Sequence, residues 1–397
     1  MIRPPLTAAI RFGVLGAAVA LALALTAPAF AAYGPPGAPS PNPAVAVPLA
    51  GAVTTASGTW ATVVMGKNDG EFNLFWQLFH LDSVTGRLTL ATPPGVADNG
   101  GLMVAPATRV ASTLVGFGAS QGLKFSPLAR TGNGGQNWSQ GGLPDALFAA
   151  PSVLSLDGSE TLALVSSSSG QVVLSNNGDL TTWRTLVTKK ALSATPAGAT
   201  CGVGTMEAVA FDANDTPLVG VSCRQPDTPG ILVDSDRQWH LADIPVPNSL
   251  IDAAFATLRL SSAAALFLAV RKHSTDLLAA WAPSLGRPWV VSPPLPITKA
   301  SDLVASGTGS GSSQFVLVRS GGELRALTIA GPGANWHALP ALPARTATVA
   351  IAPSGAIDAL TVDVTKLSVW RLDPAHRASQ WIRTQTITVP IVFGSSA

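Results

Sequence analysis

The chain has 397 residues, 12% of them charged and 47% hydrophobic, with 2 cysteines and a formal net charge of +2. Charged residues usually make up about 25% of a globular chain, so the surface here must rest on Ser, Thr, Gly, Gln and Asn. So weak a charge gives no electrostatic footing for nucleic acid or anionic lipid, and neither is expected as a partner.

The first 31 residues read as a signal peptide: Arg3 and Arg11 supply the positive start, Phe12 to Leu25 the apolar stretch, and Ala29-Phe30-Ala31 the small-residue cleavage site. That stretch of 14 residues is shorter than the roughly 20 that span a bilayer, and Pro28 interrupts its end. An exported mature chain starting at Ala32 is therefore expected, with no membrane span after cleavage. Without Arg3 and Arg11 the formal charge falls from +2 to 0. Residues 32–50, which include "YGPPGAPSPNPAVAVP", form a proline-rich linker that can hold an extended conformation but cannot build a core.

From residue 51 onward the sequence repeats. Trp138, Trp183, Trp239, Trp289, Trp336 and Trp381 follow one another at intervals of 45, 56, 50, 47 and 45 residues, each just after a turn signal. Upstream, Gly86 and Thr89 keep the same phase, with Thr89 standing 49 residues before Trp138 where another tryptophan is expected. Within a unit, "SVLSLDGSETLALV", "AVAFDANDTPLVGV" and "TVAIAPSGAIDALTV" each read as strand, polar turn, strand. A third strand follows, such as "QVVLS" or "GILVD", then the tryptophan strand. Four short antiparallel strands per unit over residues 51–397 predict an all-β fold, a seven-bladed β-propeller of four-stranded blades. A β-sandwich also supplies many short strands but does not account for the tryptophan period. The last strand, "TQTITVPIVF", is expected to close the ring with the first blade, which would spare two open sheet edges.

The stretch "RTGNGGQNWSQGGLP" explains the tryptophans. Thr131, Asn133, Gly135 and Trp138 fit the spacing Ser/Thr-x-Asp/Asn-x-Gly-x-x-Trp, which resembles the Asp-box (BNR) repeat of sialidase-like β-propellers. The short polar side chains bond backbone N–H groups within such a turn, the glycines take positive φ, and the tryptophan folds back under the hairpin. Later units keep parts of the pattern: Ser175, Asn177 and Trp183; Asp234 and Trp239; Gly286 and Trp289; Gly333 and Trp336. The last unit reaches Trp381 through a longer loop. The motif specifies a fold and leaves activity open.

The resemblance implies a test for sialidase chemistry, which uses a tyrosine nucleophile with a glutamate, an aspartate acid/base and three carboxylate-binding arginines. The only tyrosine is Tyr33, in the linker, and no Arg-Ile-Pro motif precedes the first unit. Arg109, Arg345 and Arg371 sit in no transferable motif, so sialidase activity is not expected and no catalytic residue is assigned.

Asp212/Asp215 and Asp234/Asp236 fall in hairpin turns, where aspartate serves local backbone hydrogen bonds. Calcium at "DANDT" or "DSD" would lack ligands, and the histidines show no metal spacing, so neither metal nor cofactor is expected. His240 and His337 follow tryptophans directly, and strand alternation points them outward. "SGTGSGSSQ" lies between two strand patterns and reads as a hairpin loop. Cys201 and Cys223, in an exported chain, predict one disulfide bracketing a hairpin.

The sharpest site hypothesis concerns Glu207, Asp252 and Asp302. Asp252 and Asp302 each lie 13 residues after their unit's tryptophan, and Glu207 starts the corresponding strand of the unit before. Ser152 lies at the matching place after Trp138. Three successive blades would then present these carboxylates to one funnel suited to sugar hydroxyls or a cation. The plainer reading makes them solvated residues at strand starts. Trp76, Trp281 and Trp370, on third strands, would make flat platforms for sugar rings if exposed and fill gaps between blades if buried, and blade packing is the favoured reading.

The expected function is non-catalytic binding, as a monomer, of an extracellular or cell-envelope glycan or protein at one propeller face. The alternatives are a glycoside hydrolase or lyase using funnel carboxylates, or a structural or assembly scaffold.

Overall fold

The computed structural model describes residues 50–390 apart from 94–101, 118–125, 145–153, 246–253, 283–288, 374–379 and several shorter stretches. The expected signal peptide, Tyr33 and the linker up to residue 49 lie outside the described residues, as do Arg109, Ser152, Asn177, Asp252 and Gly286.

Among the described residues the strands form six sheets, one of them eight-stranded, and fall into successive groups in chain order. The first holds β1 (Gly51–Thr55), β2 (Gly58–Asn68), β3 (Phe72–Asp82) and β4 (Leu88–Leu90), and the second β5 (Leu102–Pro106), β6 (Thr113–Phe117), β7 (Ser126–Thr131) and β8 (Ser139–Leu143). The third holds β9 (Leu154–Asp157), β10 (Glu160–Val165), β11 (Gln171–Ser175) and β12 (Arg184–Thr188). Two short helices, α1 (Lys189–Ser193) and α2 (Pro196–Cys201), lead into β13 (Val203–Phe211), β14 (Pro217–Arg224), β15 (Asp227–Ser235) and β16 (Gln238–Asp243). The fifth group holds β17 (Ala254–Leu260), β18 (Ala264–Val270), β19 (Thr275–Trp281), β20 (Val290–Val291) and β21 (Leu295–Ile297). The sixth holds β22 (Leu303–Thr308), β23 (Gln314–Ser320), β24 (Glu323–Ile329) and β25 (His337–Ala338), and the last β26 (Thr346–Ile351), β27 (Ile357–Asp363), β28 (Lys366–Leu372) and β29 (Ile382–Thr388).

Within each group, strands pair antiparallel with their chain neighbours, except that β20 and β21 both pair with β19. The first and sixth groups merge into one eight-stranded sheet where β1 meets β22 in parallel, with Val53 opposite Thr308 and Ala50 opposite Ala305. Gly307 permits that approach, because a β-carbon there would overlap the Ala52 carbonyl. The last strand departs from expectation. β29 pairs with β28 of its own group, and the first group supplies all four of its own strands, so among the described residues no strand is exchanged between the chain's ends.

Burial explains the pattern of residues along each group. Middle strands are covered on both faces, so "ETLALV" of β10 and "TDLLAAW" of β19 read as nearly unbroken apolar runs. Outer strands such as β8 and β29 are half wet and correspondingly polar. Turns use residues that tolerate positive φ: Gly321 and Gly322 join β23 to β24, and Asp236 and Arg237, at φ 54° and 63°, join β15 to β16.

Each apolar cluster spans neighbouring groups. One of them joins Trp60, Leu78 and Phe79 of the first group to Val349, Leu367 and Val389 of the last, so the two ends of the fold share a core. Thr54 Oγ1 donates to the Ile351 carbonyl at 2.7 Å, and Gly66 N–H to the Val364 carbonyl at 2.9 Å, across the same junction.

The helices were not expected. Thr188 and Thr195 cap them by accepting from Ala191 N–H and Gly198 N–H, Pro196 opens α2, and Gly202 closes it at φ 59°. Cys201 ends α2 and is bonded to Cys223 of β14. The disulfide is thus formed as expected, but it ties a helical insert to a strand instead of bracketing a simple hairpin.

Candidate functional site: a first-strand polar cluster and the junction cleft

Glu207 lies on β13, whose neighbours are β9 and β17, the first strands of the groups before and after. It is half-buried, and its carboxylate accepts from the Thr205 hydroxyl. Thr205 N–H in turn donates to Ser222 Oγ at 2.8 Å, and the two hydroxyls stand 2.7 Å apart. Two register shifts between Val203 and Ala208 bring this polar trio together, and Gly204 leaves room for Ser222, whose Oγ would lie 2.6 Å from a β-carbon at residue 204.

Asp302 ends a 3-10 turn, Ala300–Asp302, that leads into β22. The residue is 8% exposed, and its carboxylate accepts from Lys299 N–H at 3.2 Å, capping its own turn. Glu207 stands four residues before the hairpin end of β13 at Phe211, and Asp302 six before that of β22 at Thr308. Asp252, the third, lies outside the described residues.

The turn ahead of Trp138 is built by side-chain bonds. Thr131 Oγ1 accepts from Gly135 N–H at 3.0 Å, Asn133 Oδ1 accepts from Asn137 N–H at 3.0 Å, and Gly134 and Gly135 take φ of 70° and 86°. The indoles reach past their own hairpins. Trp138 meets Trp60 of the first group edge to face at 6.4 Å, and Trp183, Trp336 and Trp381 donate Nε1–H to carbonyls of the group before: Gly142 at 3.0 Å, Pro293 at 3.2 Å and Ala341 at 2.8 Å. Trp239 and Trp289 also stand at or beside the start of the last antiparallel strand and pack into apolar clusters. The rings of Trp138, Trp183, Trp336 and Trp381 are therefore struts between groups.

Other candidates resolve into structure. Asp212 is buried and accepts from Asn214 and Thr216 N–H at 2.7 Å each, while burial raises the Asp234 carboxyl. Arg371 grips the buried Asp358 with two hydrogen bonds of 2.8 and 3.0 Å, which raises the guanidinium, and Arg345 pairs with Asp363. His240 and His337 are exposed. Trp76 and Trp281 are buried, and Trp370 is half-buried with Arg383 over its ring. Among the described residues no group of three or more His, Cys, Asp and Glu could hold a metal ion. Sequence reasoning missed Trp60, which is fully buried and lies 4.4 Å from the His80 ring; it recurs at no period and so gave no signal.

A cleft of about 440 Å3 opens between the outer strands β4 and β29, lined by Arg87, Leu88, Thr89, Leu90, Gln385, Thr386 and Ile387. Gln385 spans its floor: Nε2 donates to the Gly86 carbonyl at 2.6 Å, and Oε1 accepts from Leu88 N–H at 3.0 Å.

No protein-family model and no curated protein matches the sequence. Solved structures do. The GH74 xyloglucanase of Xanthomonas campestris superposes with a TM-score of 0.50 at 15% identity, over 82% of this chain and 52% of the other. The periplasmic gluconolactonase PpgL of Pseudomonas aeruginosa gives a TM-score of 0.50 at 13% identity, over 83% of this chain and 96% of the other. The fold is a β-propeller. The propeller chain spans about half the length of the xyloglucanase. Among its described residues no helix is long and apolar enough to cross a membrane, and a disulfide is present; both are compatible with export.

Proposed function

We propose that this chain is an exported, monomeric, seven-bladed β-propeller with four-stranded blades and Asp-box-like turns, which binds an extracellular or cell-envelope glycan or protein at one face without catalysis. The seven strand groups and the core shared between first and last support the blade count, with the eight-stranded sheet counted as two blades. The observation that carries the binding reading is the Thr205–Glu207–Ser222 cluster. It sets two hydroxyls and a carboxylate, partly open to solvent, on a strand flanked by other first strands. Such donors and acceptors match sugar hydroxyls or a peptide backbone. Asp252 and Asp302 are proposed to complete the site from the following blades.

A glycan-array screen of residues 33–397, repeated with the triple variant Glu207→Gln/Asp252→Asn/Asp302→Asn, tests this. Specific binding that disappears in the triple variant supports the funnel; binding that survives it removes these residues from the site.

The enzyme reading draws on the xyloglucanase and gluconolactonase among the structural relatives, two propellers named for saccharide-related chemistry. It would require two carboxylates facing one bond. Turnover of a bound glycan, lost in Glu207→Gln alone, would favour it over binding.

A further inference from the structure

The hydrogen bonds of the Thr205–Glu207–Ser222 cluster run in one direction. The Thr205 hydroxyl gives its single proton to the Glu207 carboxylate, so in its contact of 2.7 Å with Ser222 it can only accept, and the Ser222 hydroxyl is the donor. Ser222 Oγ in turn accepts from Thr205 N–H. Both hydroxyl protons are therefore spent inside the cluster, and an ionised carboxylate has none to give. What the cluster offers a ligand is lone pairs. It takes O–H and N–H donors and has no proton for an anion.

Beside these acceptors lies a cation. Arg224 follows Ser222 by two residues on β14, whose ladder with β15 is unbroken from Leu218 to Arg224, so the two side chains share a face of the sheet. Gly204 stands between them: a β-carbon there would lie 2.6 Å from Ser222 Oγ and 3.5 Å from Arg224 Cγ. Gly204 is not among the residues at positive φ, so space, and not backbone conformation, is what asks for a glycine here. The result is a notch floored by Gly204, with acceptors on one wall and the Arg224 stem on the other. Arg224 is exposed and makes no ion pair among the described residues. Lys189 and Lys190 open α1, which packs against β13, and add positive charge near the same end of that strand.

We infer that the ligand of this cluster is an acidic saccharide, a uronic acid whose ring hydroxyls donate to the Thr205, Ser222 and Glu207 oxygens while its carboxylate pairs with Arg224 across the Gly204 notch. The inference rests on the binding reading above and narrows it to one class of glycan. A neutral sugar would satisfy the acceptors and leave the guanidinium without a partner. An ammonium-bearing sugar would suit Glu207 and be repelled by Arg224. An anion without hydroxyls would pair with Arg224 and leave the acceptors bare.

The test uses the full chain and titration calorimetry with cellotriuronate, the trisaccharide whose C6 hydroxyls are oxidised to carboxylates. It is compared with cellotriose, which differs at C6 alone, and with tricarballylate, which has carboxylates and no hydroxyl. Expected are saturable binding of cellotriuronate and binding about tenfold weaker for each of the other two. Arg224→Gln is expected to bring cellotriuronate down to the level of cellotriose, Arg224→Lys to restore part of the difference, and Thr205→Val to weaken both sugars alike. No saturable binding of cellotriuronate, equal affinity for cellotriuronate and either comparison ligand, or a preference for the acid that survives Arg224→Gln would each overturn the inference. Cellotriose binding the tighter, with that binding lost in Glu207→Gln, would overturn it and leave the proposed site standing. Cellotriuronate binding that is unchanged in both Thr205→Val and Glu207→Gln would remove the site as well.

Discussion

Trp183 shows how much one residue does here: its ring covers apolar surface between two groups, and its N–H is bonded to Gly142 and Leu180 carbonyls. Replacing it with phenylalanine keeps most of the ring and removes the donor, so a loss of about 1 kcal/mol is expected in chemical denaturation. Arg371→Met leaves the Asp358 carboxylate buried without its partner. A cost of about 3 kcal/mol, the low end for a broken buried pair, is expected because the Arg371 side chain is itself 37% exposed. Asp179 lies on the surface, where Thr181 donates through both its hydroxyl and its N–H and holds the carboxyl down to about 2. A depressed folded value favours the folded state above the ordinary aspartate value of 3.8, and that contribution fades as pH falls toward 2. NMR titration is expected to find Asp179 still ionised near pH 3, and Thr181→Val to move its midpoint upward. At this scale the sequence was most informative where the chemistry is local. Thr131, Asn133 and Gly135 could be read because their bonds stay within the turn, whereas Trp60 and His80 meet only in three dimensions.

Strands were legible from alternation and turn residues, because a strand covered on one or both faces writes its burial directly into the chain. The helices α1 and α2 were not, since five and six residues are too few for a 3.6-residue period to show, although Thr188, Thr195, Pro196 and Gly202 were present as caps. The cysteine pair was foreseen and its setting was not. Removing it by Cys201→Ser/Cys223→Ser is expected to cost about 2–4 kcal/mol. Amide exchange is expected to rise first across residues 189–202, with the β14–β15 ladder protected longer. Bulges also limited the reading of the site. β13 shifts register twice before Ala208 and β22 once between Leu303 and Ala305, so counting from a tryptophan cannot say at which level a carboxylate lies.

For the molecule as a whole, the tryptophan period of the sequence anticipated the propeller, and what it could not reveal was how the ends meet. Closure by a shared strand is a pattern of backbone pairing, and nothing in "TQTITVPIVF" distinguishes pairing with β28 from pairing with the first group. The chain instead joins its ends through a common core and side chains such as Gln385 and Thr54. Gln385→Ala, which empties both of its bonds to the first group, is expected to lower Tm and to speed amide exchange at Leu88 more than at equivalent positions in other outer strands.

The junction also sets an order in time. Thr54 and Ile351 are 297 residues apart in the chain, as are Leu88 and Gln385, yet each pair is in direct contact. Residues 50–91 therefore emerge from the ribosome long before the last-group surface that covers them has been made, and the side of the Trp60, Leu78 and Phe79 core that faces the last group waits uncovered until those strands arrive. Contacts so distant make folding slow, and the waiting surface is one that other chains can stick to. The birth of this protein is governed by its last fifty residues, and its earliest segment is the one most in need of a chaperone.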